Sequence, residues 1–226
     1  MTGVSAVRDS GPATLSLQAR GATIARAMKT VFISESSFDQ RSFAEFVASI
    51  SGQDPNKYEL IGGKIVMNPP AGWPYGEAEL GIGSILYARV KGRRLGIATG
   101  PSQGYELPTG DTVAPEASVI LNERLQRGPT PEVGKFLLIV PNLAVEVVSP
   151  DSARRDRVEK KAAYAASGVN EYWLVDCLKK TVTVFHLLAD GTYDAGEIFR
   201  AGERIRSRVL LDLNAPVDDL IPRLPE

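Results

Sequence analysis

The stretch from Phe136 to Asp176, FLLIVPNLAVEVVSPDSARRDRVEKKAAYAASGVNEYWLVD, decides how the rest of the chain is read. It gives an apolar strand, a sharp turn at Ser149-Pro150-Asp151, a charged helix and a second apolar strand from Glu171, an α/β (α+β) pattern. Within the first strand a single carboxylate, Glu146, interrupts the apolar run from Leu143 to Val148. A lone charge among apolar neighbours needs a partner. The helix is expected to start at Asp151 or Ser152, to run to Gly168, and to turn a stripe of Val158, Ala162 and Ala165 inward.

Working outward, Thr181 to Leu187 should form a strand joined to Glu171–Val175 by a turn through Asp176–Lys180. Beyond Gly191 the chain reads as a hairpin and an acidic, proline-bearing end whose Leu210, Leu211, Leu213 and Leu220 cover core. Upstream, Val113 to Leu121 reads as one strand with Glu116 at its mouth, and Phe136 to Val140 as another, separated by a polar excursion over residues 122–134. Leu95 to Leu107 should be extended. A helix over Glu77–Val90 closes in Arg89, Lys91, Arg93 and Arg94, a basic run read first as a solvated helix end favoured by the macrodipole. Alternating residues around Gly62-Gly63 predict a hairpin over Tyr58–Met67, and Phe43, Phe46, Val47 and Ile50 predict a short amphipathic helix ending at Gly52. Residues 1–30 are taken as a flexible tail, with Met28 a possible start, and 31–226 as a single domain.

Composition narrows the chemistry. The 226 residues, 43% of them hydrophobic, suffice for one substantial core, and a formal charge of −1 supplies no global field to draw in nucleic acid. With one cysteine, Cys177, and one histidine, His186, there is no intrachain disulfide framework and no usual nitrogen-and-sulfur zinc site. A metal here would be held by oxygen. The apolar runs are too short to span a bilayer, no phosphate loop or dinucleotide fingerprint fits, and a cytoplasmic location is expected.

Glu116 and Glu146, each in or beside an apolar strand, precede the adjacent Lys160 and Lys161. Two carboxylates repel unless a cation lies between them, and an all-oxygen site suits magnesium or manganese. An ammonium nearby can stabilise charge on a phosphate during in-line attack. Spacing alone, however, favours solvent-facing acids or ion pairs with arginine, and a carboxylate-only glycosidase would leave the basic helix idle. Between the lysines the pattern is divided. The stripe from Val158 puts Lys161 nearer the apolar edge, whereas Asp156, Lys160 and Tyr164 form their own row four residues apart.

Several segments together carry a resemblance. They are Tyr58-Glu59-Leu60-Ile61-Gly62-Gly63, Ala114-Pro115-Glu116, Ala144 to Pro150, Asp156 with Lys160 and Tyr164, and Gly168 to Asp176. In order and spacing they resemble the Uma-type family of putative restriction endonucleases, within the PD-(D/E)XK nuclease superfamily, from about Phe43 to the C-terminal end. The resemblance implies a restriction-endonuclease-like core, a central mixed β-sheet flanked by helices, with an N-terminal hairpin and extra C-terminal strands. It implies a magnesium- or manganese-dependent endonuclease acting on nucleic acid, DNA foremost, and a homodimer or higher homo-oligomer. Glu116, Glu146 and Lys160 would be the catalytic residues, with Glu116, Glu146 and the Val147 backbone carbonyl as metal ligands. Glu59, Lys161, Gln103 and Tyr164 are supporting candidates. Two departures stand out: Val148 occupies the acid-x-lysine position, its role passing to Lys160, and Glu116 stands where the family has aspartate. A catalytically weak relative acting as a nucleic-acid or protein binding module is the alternative expectation.

Overall fold

The computed structural model describes residues 31–50 and 52–225, so the expectations for the first 30 residues lie outside the described part. The chain begins with strand β1 (Phe32–Ile33), helix α1 (Gln40–Ser49) and a hairpin of β2 (Lys57–Ile61) and β3 (Lys64–Asn68). Helix α1 starts where Asp39 accepts the Ser42 N–H at 2.7 Å while the Ser42 hydroxyl accepts the Asp39 N–H at 3.0 Å. This reciprocal cap satisfies two backbone donors that a helix start leaves over. The hairpin turns through Gly62 and Gly63 at φ 57° and 74°, left-handed values that a side chain would resist.

Next come helix α2 (Tyr75–Arg93), then β4 (Gly96–Thr99), β5 (Tyr105–Glu106), β6 (Thr112–Val113) and β7 (Ala117–Leu121). Helix α2 buries Ala78, Ile82, Leu86 and Val90, one residue per turn, and its basic last turn is a helix end as expected. The short helix α3 (Asn122–Arg127) leads to β8 (Leu143–Val147), and a π-helical segment, Arg155–Lys160, runs straight into helix α4 (Lys161–Ala166). Strands β9 (Glu171–Asp176), β10 (Thr181–His186), β11 (Glu197–Arg200), β12 (Arg204–Arg206) and β13 (Asn214–Pro216) complete the chain.

The strands form two main sheets. One, in the order β1-β3-β2-β6-β5, is antiparallel throughout; the other, β11-β10-β9-β8-β7-β4, is mixed, with β8 and β9 its parallel pair. Strands β12 and β13 pair separately. Strand alternation then sorts β8 between two cores. Leu143, Val145 and Val147 pack with α2, Trp173 and Val175, whereas Ala144 and Val148 pack with Tyr164, Tyr172 and Leu174. By the same alternation Glu146 falls on the second face, under α4.

Several expectations need correction. Val113 to Leu121 is not one strand: Pro115 has no N–H to give a ladder, and across Ala114-Pro115-Glu116 the chain leaves the first sheet for the second. Phe136 to Val140 is not a strand either, and joins the first sheet only by a bridge from Leu137 to Tyr105. The excursion after Leu121 opens with α3, and Leu95 to Leu107 is broken by a turn between β4 and β5. The expected inward stripe fails at Val158, 57% exposed, and at the exposed Ala162, leaving only Ala165 buried, because the row Asp156, Lys160 and Tyr164 turns inward instead. Leu211 is 84% exposed, while Leu210, Leu213 and Leu220 are core.

Candidate active site between the two sheets

Glu59 from β2 and Glu146 from β8 belong to different sheets, and Lys160 joins them. Its ammonium lies 2.9 Å from Glu59 Oε1 and 2.5 Å from Glu146 Oε1, with all three side chains 2% exposed. Glu59 also accepts the Ala114 N–H at 2.9 Å and the Asn68 amide at 3.1 Å. Tyr164, one helical turn after Lys160, donates its hydroxyl to Glu146 Oε1 at 2.7 Å. The buried row of the helix is thus explained by polar partners rather than by apolar packing. Tyr172 anchors the π-helical segment by donating to the Asp156 carbonyl at 2.9 Å. A single widened turn of this kind shifts which residues face inward, and such turns recur at functional sites.

Glu116 sits where the chain changes sheets. Its carboxylate accepts from Lys57 Nζ at 2.7 Å and from the Val147 N–H at 3.2 Å, and it hydrogen-bonds to the carboxyl of Glu146. Lys57 also donates to the Ala114 carbonyl at 2.6 Å. Sequence reasoning missed Lys57. The available signal was its spacing, because residues 57 and 59 of a strand point the same way.

The electrostatics follow from crowding. Burial works against ionising Glu116, but the Lys57 and Lys160 charges overcome it and hold its pKa at about 2. Burial and the Glu116 charge push Glu146 well above the usual carboxylate range, as expected when two acids in contact cannot both ionise. Burial also raises Asp156, to about 6. Burial disfavours the Lys160 ammonium, yet Glu146, Glu59 and Asp156 outweigh that and raise its pKa well above the ordinary value.

These residues fit a divalent cation. Glu59, Glu146 and Asp156 are buried and Glu116 is partly buried beside them; even with Glu146 held neutral, the other three acids exceed the two ammoniums, Lys57 and Lys160, by one charge above pH 6, and the acids offer only oxygen donors. Among the described residues no three His, Cys, Asp or Glu side chains are placed to hold a metal by themselves. An ion at this place would therefore take two carboxylates and complete its shell from backbone or solvent. Beside the cluster lies a cleft of about 320 Å³, lined by Lys57, Glu59, Glu116, Val147, Asp156 and Lys160 among others.

Two expected candidates are elsewhere. Lys161 places its ammonium 3.6 Å from the centre of the Phe185 ring. Gln103 turns its amide onto the Gly104 carbonyl at 2.8 Å and is absent from the cleft lining. Tyr172 and Trp173 are fully buried core, and Asp176 holds the next turn by accepting the Lys179 N–H at 3.0 Å.

Asp156 yields a prediction of its own. A carboxyl raised from 3.8 to about 6 in the folded state contributes stability below about pH 4, which is lost as pH rises through 6. Two pKa units correspond to at most ~3 kcal/mol. Relative to the unmodified protein, Asp156→Asn should therefore gain stability between pH 4 and pH 8, by roughly 5–10 °C in Tm. A Tm difference that stays flat across that range would exclude the effect.

Comparison with known proteins agrees with this architecture. A crystal structure of a putative nuclease belonging to DUF820, from Anabaena variabilis, superposes with a TM-score of 0.64 at 22% identity, covering 78% of this chain and 95% of that one. At that identity the likeness shows the fold. No curated protein matches the sequence. The model of the Uma2 family, described as putative restriction endonuclease, matches residues 43–218, which include both sheets except the edge strand β1 and every residue of the cluster. On that match the chain belongs to the Uma2 putative restriction endonuclease family.

Proposed function

We propose that the protein is a nuclease that hydrolyses phosphodiester bonds of DNA with magnesium or manganese held at Glu116 and Glu146. The supporting observation is the buried cluster itself: two carboxylates in mutual contact, a lysine beside them, and an excess of negative charge opening on a cleft. When bound, the ion supplies Lewis-acid charge and an acidified water. Glu116 and Glu146 hold it, with the Val147 carbonyl a candidate third ligand at the end of β8. Lys160, fixed by Glu59 and Glu146, keeps an ammonium beside the attacked phosphate, where it offsets the charge that develops. Tyr164 orients Glu146 through its hydroxyl, and Glu59 orients Lys160. Cutting both strands of a duplex from such a site calls for a homodimer, which light scattering would report.

The test is direct. Purified protein should cut plasmid DNA in magnesium or manganese and not in EDTA. Calorimetric titration with manganese should give heat of binding that Glu116→Gln abolishes. Cleavage undiminished in EDTA would overturn the metal-dependent reading. Absence of both heat and cleavage would leave the fold as a binding module.

A further inference from the structure

Arg155 lines the same cleft as Glu116 and Lys160, yet it is arranged unlike every other cation there. It is 8% exposed, and none of the ion pairs among the described residues involves it, whereas Lys57 is matched by Glu116 and Lys160 by Glu59 and Glu146. Its guanidinium rests on two neutral oxygens instead: the Asn68 side-chain carbonyl at 2.9 Å from Nη2, and the Asp151 backbone carbonyl at 3.4 Å from Nη1. Its Nε is buried without an acceptor among the described residues. A desolvated cation lacking a counter-charge is costly, and the fold holds this one in place at a cleft wall.

Asn68 connects it to the cluster. The amide that accepts from Arg155 donates to Glu59 at 3.1 Å, and Glu59 in turn holds Lys160. Arg155 is thereby fixed relative to the proposed reacting centre without being neutralised by any of its acids. A planar guanidinium with unused donors matches the two free oxygens of a phosphodiester, which a lysine does as a point charge only.

We propose that Arg155 binds a backbone phosphate of the nucleic acid and so sets the register of the strand across the cleft. The inference rests on the nuclease reading above and concerns binding, so it is tested apart from turnover. Affinity for a short DNA duplex is measured in calcium over a series of salt concentrations, for the unmodified protein, Arg155→Met and Arg155→Lys. One lost phosphate contact should lower the salt slope by about 0.9 and weaken binding roughly ten-fold or more in Arg155→Met. Arg155→Lys should retain the slope while binding several-fold more weakly, because the charge remains and the fork is lost. If Arg155→Met fails to fold, Arg155→Gln replaces it. A Met or Gln variant that folds and keeps both slope and affinity overturns the assignment of Arg155 alone. An unmodified protein that binds no nucleic acid overturns both this inference and the nuclease reading.

Discussion

Lys160→Met is expected to lose roughly 3–5 kcal/mol of stability, because it strips the shared cation from two carboxylates that have no access to water. Glu59 and Glu146 are each 2% exposed and both reach the same ammonium. With methionine in its place Glu59 keeps the Ala114 N–H, the Asn68 amide and the nearby Lys57 charge, whereas Glu146 keeps chiefly the Tyr164 hydroxyl. The melting temperature should fall on the order of 10 °C for a chain of this size. The double variant Lys160→Met with Glu146→Gln should recover part of the loss, since Glu146 is the acid left with the fewest partners and beside the Glu116 charge. Thermal unfolding of the three proteins decides the matter. A Lys160→Met protein as stable as the unmodified one would mean that the buried pairs contribute little.

The second large effect separates chemistry from folding. On the proposed function, Glu146→Ala should reduce DNA cleavage in magnesium about 10³-fold or more, through loss of a proposed ion ligand worth several kcal/mol of charge stabilisation. It should nevertheless fold, since Glu146 is itself crowded: burial and the Glu116 charge hold it well above its ordinary pKa. Removing it relieves that repulsion and leaves Lys160 paired with Glu59. Plasmid cleavage and a melting curve on one preparation distinguish the cases. Cleavage at the unmodified rate, with contaminating nuclease excluded, would remove Glu146 from the site.

Much of this site was legible in the sequence where local rules apply. The two-glycine turn fixed the hairpin, the lone Glu146 in an apolar strand signalled a charged partner, and the four-residue row grouped Asp156, Lys160 and Tyr164. What escaped depended on long-range geometry. The change of sheet at Pro115 makes one apparent strand into two, and the widened turn at Arg155–Lys160 lets a polar row displace the apolar stripe from Val158. Lys57 and Arg155 look like ordinary surface cations until a partner almost sixty residues away, or the lack of one, is seen. The family resemblance favoured Lys160 over Lys161 where periodicity left both open, and Lys160 is the one that reaches Glu59 and Glu146.

The meeting of two sheets through charged side chains also bears on how such a chain can change over generations. Replacing buried ionic groups by apolar residues of matching volume is often neutral or stabilising once all partners change together. The link Glu59-Lys160-Glu146 is therefore a brake on robustness as well as a tie between sheets. A lineage freed from selection for turnover can exchange the trio for hydrophobic side chains and become sturdier. Retired copies of this fold should accordingly carry oily residues at these positions, and that substitution pattern would distinguish them from working ones.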